Sequence, residues 1–306
     1  MKKIPLILDM DPGVDDAVAL AVAVNNPAFD VKLITSVAGN VSVDKTTRNE
    51  LKLLEFFDKA EIPVARGAAQ PLKKKFEDAA YIHGQSGLPG YDFPPVTLNS
   101  DPRPAVKAIY QTLKQAPAPM IIVATGAYTN IAELLLKYPE IKKQISRLVL
   151  MGGSISGGNV SSVAEFNVYT DPDAAKIVYQ SGVPIVMIGL DVTLQALVTW
   201  ETLKKLATLG KTGMMLYQLI TAYQDIYSNG KPLHDVNTIF YLLHPEAIET
   251  RDYQIEVVTQ GPAIGATVAD IQNRWSQGRT NAKVGINIDA DYFNQWLLEE
   301  VSQMIN

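Results

Sequence analysis

Leu8-Asp9-Met10-Asp11-Pro12-Gly13-Val14-Asp15-Asp16-Ala17 packs the end of an apolar run, a Pro-Gly turn and the start of a helical pattern into ten residues. The run before it, Ile4-Pro5-Leu6-Ile7-Leu8, is continuously apolar, as a strand buried on both faces must be. The run after it, residues 14–25, carries apolar side chains at helical spacing. A strand that turns directly into a helix is the first half of a βαβ unit. The same alternation recurs, with strands expected over residues 31–38, 120–124, 147–151 and 184–190 and helices over 45–58, 129–137 and 171–181. This predicts an α/β fold, Rossmann-like and doubly wound, around a mostly parallel sheet with added helices. From Trp200 the pattern is helical to about residue 243, then come short strands at 253–259 and 282–288 and a final helix. With no internal repeat or linker, residues 1–306 read as a single domain.

Composition narrows the chemistry. The net charge is −5 and the longest basic run is Lys73-Lys74-Lys75, so nucleic acid and anionic membranes are not expected partners. The basic start Met1-Lys2-Lys3 imitates a signal peptide, but its apolar run breaks at Asp9. No stretch approaches the ~20 apolar residues of a spanning helix, so a soluble, cytoplasmic protein is expected. There is no cysteine, which excludes disulfides, thiolate metal sites and cysteine nucleophiles. Any metal must be held by oxygen or imidazole.

In a doubly wound sheet, ligands bind beyond the carboxyl ends of the strands. Polar clusters stand at those positions: residues 9–16, Gly39-Asn40, Thr125-Gly126 and Gly152-Gly153. The first holds four carboxylates, Asp9, Asp11, Asp15 and Asp16, within eight residues. One aspartate at a helix N-terminus is worth about 0.3–1 kcal/mol and calls for no ligand. Four in a partly dry cleft repel one another, and their pKa values rise unless a cation offsets the charge. An oxygen-liganded divalent ion is the simplest answer, and calcium, which accepts about six to eight oxygens, suits it better than magnesium.

The acidic stretch closely resembles the DTDPGxDDA signature of the nucleoside hydrolases that prefer inosine and uridine. Further blocks follow in family order: Ala38-Gly39-Asn40, Ile82-His83-Gly84, Ala124-Thr125-Gly126 with Thr129-Asn130-Ile131-Ala132, Met151-Gly152-Gly153, Ala164-Glu165-Phe166-Asn167 with Asp171-Pro172, and His234-Asp235. The resemblance runs from residue 4 to about residue 245. It implies the family's fold and the hydrolysis of a ribonucleoside to free base and ribose, in nucleoside salvage, by a homodimer or homotetramer. It further implies that Asp11, Asp16, Asp235 and the Thr125 carbonyl bind Ca2+, and that Asp15, Asn40, Asn159, Glu165 and Asn167 hold the ribose. A water on the ion would attack, with Asp11 as general base.

Two departures stand out. Met10 replaces a residue that is often Thr or small, and strand alternation should turn its side chain away from the ion. Residues 223–232, where the base is usually read, match poorly in detail. Of the three histidines, His234 matches the family's proton donor and His83 a base-pocket histidine, while His244 in Leu243-His244-Pro245 is assigned to structure. Tyr223 and Tyr227 are four apart, hence on one face of the expected helix, where they could contact a base or pack against a neighbour.

Two other readings use the same residues. Asp9-Met10-Asp11 imitates the aspartate pair of haloacid-dehalogenase-type phosphatases, but Gly13 stands where that family has Thr or Val. A non-catalytic nucleoside- or sugar-binding protein needs no general base beside its metal.

Overall fold

The computed structural model describes residues 3–304. Its strands are β1 (Ile4–Met10), β2 (Phe29–Ser36), β3 (Val64–Ala65), β4 (Met120–Ala124), β5 (Ile145–Met151), β6 (Ile185–Ile188), β7 (Leu197–Thr199), β8 (Gly230–Pro232), β9 (Ile248–Tyr253), β10 (Ile255–Val257), β11 (Thr267–Ala269) and β12 (Ala282–Ile288). Eight of them form one sheet in the order β3-β2-β1-β4-β5-β6-β12-β9, parallel throughout except for the edge strand β9. β7 pairs with β8 and β10 with β11, both antiparallel.

β1 is buried because both faces of the sheet are covered. Leu6, Leu8 and Met10 enter one apolar layer with helix α1 (Val14–Asn25) and the helices beyond residue 200. Ile7 enters the opposite layer with Ile109, Ile122 and Ile131. Burying each such aliphatic side chain contributes roughly 1.5–3 kcal/mol, which fixes the strand's register before any polar contact is counted. Met10 therefore does turn away from the loop that follows. Asp9, which alternation puts on the other face, accepts from Thr35 Oγ1 at 2.5 Å and Asn130 Nδ2 at 2.8 Å.

Several expected boundaries move. β2 ends at Ser36 because Val37 and Ala38 already belong to the turn. The strand expected at 184–190 is β6, Ile185–Ile188, and Leu190 already begins a short helix, Leu190–Thr193. The strand expected over 253–259 is two, β9 and β10, and β9 escaped notice because an edge strand exposes one face and reads as polar, Ile-Glu-Thr-Arg-Asp-Tyr. The helical pattern expected from Trp200 to about residue 243 resolves into three helices, Trp200–Leu206, Gly210–Ala222 and Val236–Leu243, with residues 223–235 outside them. The break has a visible cause. Lys231 Nζ donates to the carbonyls of Ile220 and Thr221, both at 2.8 Å, and of Tyr223, closing the end of the second helix. Tyr227 and Gly230 then bond across the Ser228-Asn229 turn. Tyr223 and Tyr227 are consequently not on one helical face. Among the described residues, no helix is long and apolar enough to cross a membrane.

Helix α2 (Val43–Phe56) covers β2 and carries Glu50, which is buried with neither carboxylate oxygen hydrogen-bonded. Burial, reinforced by the charges of Asp9 and Asp16, holds its pKa well above the usual carboxylate value. An acid whose folded pKa is raised costs stability as pH climbs from the unfolded value, near ~4.3, toward the folded one, because only the unfolded chain releases the proton freely. Glu50→Gln removes that cost. Its melting temperature should match the wild type near pH 4.5 and exceed it increasingly by pH 8, and a pH-independent difference in thermal melts would contradict the assignment.

Candidate active site

The order of strands reverses at β1, with β2 on one side and β4 on the other, and the loops leaving these strands diverge into a crevice. Asp11 is the first residue past β1. Its Oδ2 accepts from the Asn40 backbone N–H at 2.7 Å, while Asn40 Nδ2 donates to the Asp11 carbonyl at 3.1 Å and to Asp16 Oδ2 at 3.2 Å. This close approach needs Gly39, since a Cβ there would lie 1.9 Å from Asp11 Oδ2. Asp16, in the first turn of α1, accepts from the Gly13 N–H at 3.0 Å and from Thr125 Oγ1 at 2.7 Å. Asp235 arrives from the start of helix Val236–Leu243, and one carboxylate oxygen each from Asp15, Asp16 and Asp235 lie within 4.8 Å of one another.

Such crowding is unfavourable without a cation. Burial pushes Asp16 up to about 7, with the charge of Asp15 adding to it and the hydrogen bonds only partly offsetting it. Asp11 is held well above the carboxylate range by burial and then by the charges of Asp16, Asp15 and Glu165, and Asp235 by burial and then by those of Asp15, Asp16 and Asp11. Asp11 Oδ1 and Asp15 Oδ1 are buried with no hydrogen-bond partner, and among the described residues no lysine or arginine lines the cavity. An all-oxygen set with unsatisfied buried carboxylate atoms fits a hard divalent cation. Asp9 does not belong to this set: its Oδ1 accepts from Thr35 and Asn130, and burial pushes its pKa up to about 7.

Across the crevice, Glu165 precedes helix Phe166–Thr170 and accepts from the N–H groups of Gly153 (2.8 Å), Asn167 (2.8 Å) and Val168 (3.1 Å). Burial raises its pKa, and those donors limit the rise. Asn167 Nδ2 donates to the Thr125 carbonyl at 2.6 Å, and Asn159 Oδ1 accepts from the Phe166 N–H at 3.0 Å. His83 Nδ1 accepts from the Val14 N–H at 3.2 Å, which makes Nε2 the protonated nitrogen of the neutral ring. Burial lowers the pKa of His83 despite Asp15 beside it, and its ring lies 4.9 Å from that of Tyr223, centroid to centroid. His234 Nδ1 meets Thr193 Oγ1 at 2.7 Å, and its Nε2 lies 3.5 Å from Asp225 Oδ2. Burial alone would lower its pKa, but the carboxylates of Asp225, Asp15 and Glu165 outweigh burial and raise it. These groups surround a cavity of about 350 Å³.

The sequence matches the inosine-uridine preferring nucleoside hydrolase family over residues 6–295. The chain belongs to this family. It is 49% identical over 296 residues, 96% of each chain, to a Salmonella enteritidis protein described as a non-specific ribonucleoside hydrolase. Among solved structures, a purine-preferring ribonucleoside hydrolase from Gardnerella vaginalis superimposes with a TM-score of 0.91 at 33% identity, covering 98% of both chains. A plant nucleoside hydrolase gives the same TM-score at 29% identity, over 98% of this chain and 99% of its own. The protein is therefore a hydrolase of N-glycosyl compounds that converts a ribonucleoside to free base and ribose, and the phosphatase and non-catalytic readings fall away.

The hydrolase brings Asp15, Asn40, His83, Thr125, Asn159, Glu165, Asn167, Tyr223, Tyr227, His234 and Asp235 to the cavity wall. Asp11 and Asp16 are fully buried behind them. Tyr223 and Tyr227 reach the cavity from an irregular segment instead of a helix face. His244 lies away from it, with Nδ1 2.8 Å from Tyr292 Oη and its ring against Phe240. Sequence reasoning missed Asp225, Tyr81 and Phe166, which also line the cavity. Phe166 stood inside a recognised block, but Asp225 lies in residues 223–232, where the resemblance is poor and no motif marks it.

A cation that binds the folded site alone must stabilise the fold, by about 2.7 kcal/mol at a hundred times its dissociation constant. Chelator-treated protein should gain several degrees in melting temperature on adding a divalent cation. The gain should vanish in Asp16→Asn and Asp235→Asn, and a gain unchanged in both would exclude these carboxylates as ligands.

Proposed function

We propose that this hydrolase is calcium-dependent, accepts both purine and pyrimidine ribonucleosides, and uses Asp11 as general base and His234 as general acid. The observation that carries the reading is the set of buried carboxylates Asp11, Asp15, Asp16 and Asp235 in a crevice whose lining lacks lysine and arginine. Asp11, Asp16, Asp235 and the Thr125 carbonyl would hold the ion, and the all-oxygen donors favour calcium over zinc. Bound there, calcium would supply Lewis-acid chemistry and positive charge for a water and a sugar. Broad base range is supported by the 49% identical relative described as non-specific, against 33% for the one described as purine-preferring. One domain, a cytoplasmic setting and assembly as a homodimer or homotetramer complete the proposal, and rest on the resemblance and on a chain without cysteine.

The residues divide the work. Asp15, Asn40, Asn159, Glu165 and Asn167 offer acceptors and amides around the sugar, enough to fix three hydroxyls. Asp11 takes the proton of the attacking water, and its Oδ1, which no other group engages, is free to accept it. As the O–C1′ bond forms, the C1′–N bond breaks and its electron pair passes to the base nitrogen. The proton on His234 Nε2 follows it. Cationic character on the ribosyl ring is stabilised by the carboxylates of Asp15 and Glu165. His83, Tyr223 and Tyr227 bound the base.

Incubation with inosine, uridine, cytidine and adenosine in phosphate-free buffer should release reducing sugar from each. A phosphate requirement with ribose 1-phosphate as product would overturn the mechanism. Asp11→Asn should lower kcat by at least about 10³-fold with the fold intact by circular dichroism, since base catalysis and a ligand are lost together. Near-normal turnover would remove Asp11 from the role.

His234→Ala should slow inosine cleavage by about 10²–10⁴-fold, the usual worth of general acid catalysis. The p-nitrophenolate of p-nitrophenyl riboside leaves with the bond's electron pair as a stable anion and needs no proton, so hydrolysis of that substrate should change little. Equal losses on both substrates would mean that His234 serves the metal site instead.

A further inference from the structure

Asp225 is the carboxylate that faces His234 from the base side of the cavity, and nothing in the mechanism above uses it. Its side chain is one-quarter exposed, and Oδ2 lies 3.5 Å from His234 Nε2, whose ring is buried. At that separation the pair is in ionic contact but has not closed a hydrogen bond, and Nε2 has no other hydrogen-bond partner. Thr193 Oγ1 meanwhile engages the opposite ring nitrogen at 2.7 Å.

The contact is held by construction. The segment bearing Asp225 is braced at four points: by Lys231 Nζ on the Tyr223 carbonyl, by the Gln224 N–H on the Ile82 carbonyl at 3.1 Å, by the Tyr227–Gly230 bridge, and by Trp200 Nε1 on the Ser228 carbonyl at 2.9 Å. Lys231 is buried and spends its donors on the end of helix Gly210–Ala222, so it does not sequester the Asp225 carboxylate. Among the described residues, His234 is the cationic-capable group that lies within ion-pair distance of Asp225.

We propose that Asp225 is a positioning residue for the hydrolytic reaction: with Thr193 fixing Nδ1, it holds the Nε2–H of His234 toward the space where the nucleobase leaves. This rests on the reading of His234 as general acid. A histidine that must deliver a proton needs the correct nitrogen protonated and pointed, and a carboxylate on the ring is a recurrent means of securing both. A contact of 3.5 Å is also loose enough for the base nitrogen to take the proton without first breaking a tight pair. In the step itself the C1′–N electron pair goes to the base nitrogen, the Nε2 proton is transferred to that nitrogen, and Asp225 gains and loses nothing.

The test compares calcium-loaded wild type, Asp225→Asn, Asp225→Glu and His234→Ala on inosine and on p-nitrophenyl riboside. Asp225→Asn should lose about 10- to 100-fold in kcat on inosine, with KM within about threefold, and change less than about threefold on p-nitrophenyl riboside. Asp225→Glu should recover much of the loss, which a merely space-filling role would not require. Equal losses of Asp225→Asn on both substrates, or no loss on inosine while His234→Ala is selectively impaired, would overturn the role of Asp225 and leave that of His234 standing. If His234→Ala itself cleaves inosine normally, the general-acid reading fails and carries this one with it.

Discussion

The structure is organised around a repulsion. Asp11, Asp15, Asp16 and Asp235 are buried at the end of β1 and the openings of two helices, and their pairwise charges are unfavourable at separations of a few ångströms in a medium less polar than water. Local hydrogen bonds satisfy part of each group, such as the Asn40 N–H on Asp11 and Thr125 Oγ1 on Asp16. They leave Asp11 Oδ1 and Asp15 Oδ1 unmet. A fold that keeps such groups buried must draw its stability from elsewhere, and here it comes from a central strand with apolar layers on both faces. The scaffold carries the cost, and the site keeps atoms free for a cation and a sugar.

Rigidity follows from how the parts are hung. Asp11, Thr125 and the glycines after Met151 each stand within two residues of a strand of the main sheet. The Asn130 side chain ties Asp9 to the Ser36 carbonyl and accepts from the Ala68 N–H, so β1, β2 and the loop after β3 cannot shift independently. Gly39 lets the second loop close on Asp11 where any side chain would collide. Displacement of Asp11 or Thr125 would therefore disturb the packing at the sheet's centre, which is what keeps such groups in register.

How much of this was legible in the chain depended on the kind of signal. The buried strands announced themselves as apolar runs, because a strand covered on both faces has no reason to alternate. The acidic stretch at 9–16 was legible because four carboxylates in a row conflict with a buried location, and such conflicts mark function. Asp9 shows the limit of that reasoning: sequence groups it with the others, whereas the fold ties it to Thr35 and Asn130 within the sheet. β9 was illegible because its outward face is charged. The helix break at Ala222 was illegible because its cause is Lys231, a side chain that looks like surface until it folds back on the carbonyls of Ile220, Thr221 and Tyr223.

The same contrast separates the two halves of the cavity. The half we propose for ribose and metal is anchored on Asp11 and Thr125, each directly after a strand, where geometry is dictated by the sheet. The half we propose for the base depends on residues 223–230, an irregular segment held by a lysine, a turn and one tryptophan N–H. Loops tolerate substitution better than sheet centres, so base selectivity is free to change while the sugar chemistry stays fixed. That division also explains why the resemblance faded at residues 223–232 and why Asp225 was hidden there. A group that tunes the departure of the base belongs on the adaptable wall, provided its contact with His234 is preserved by bracing and not by the sheet.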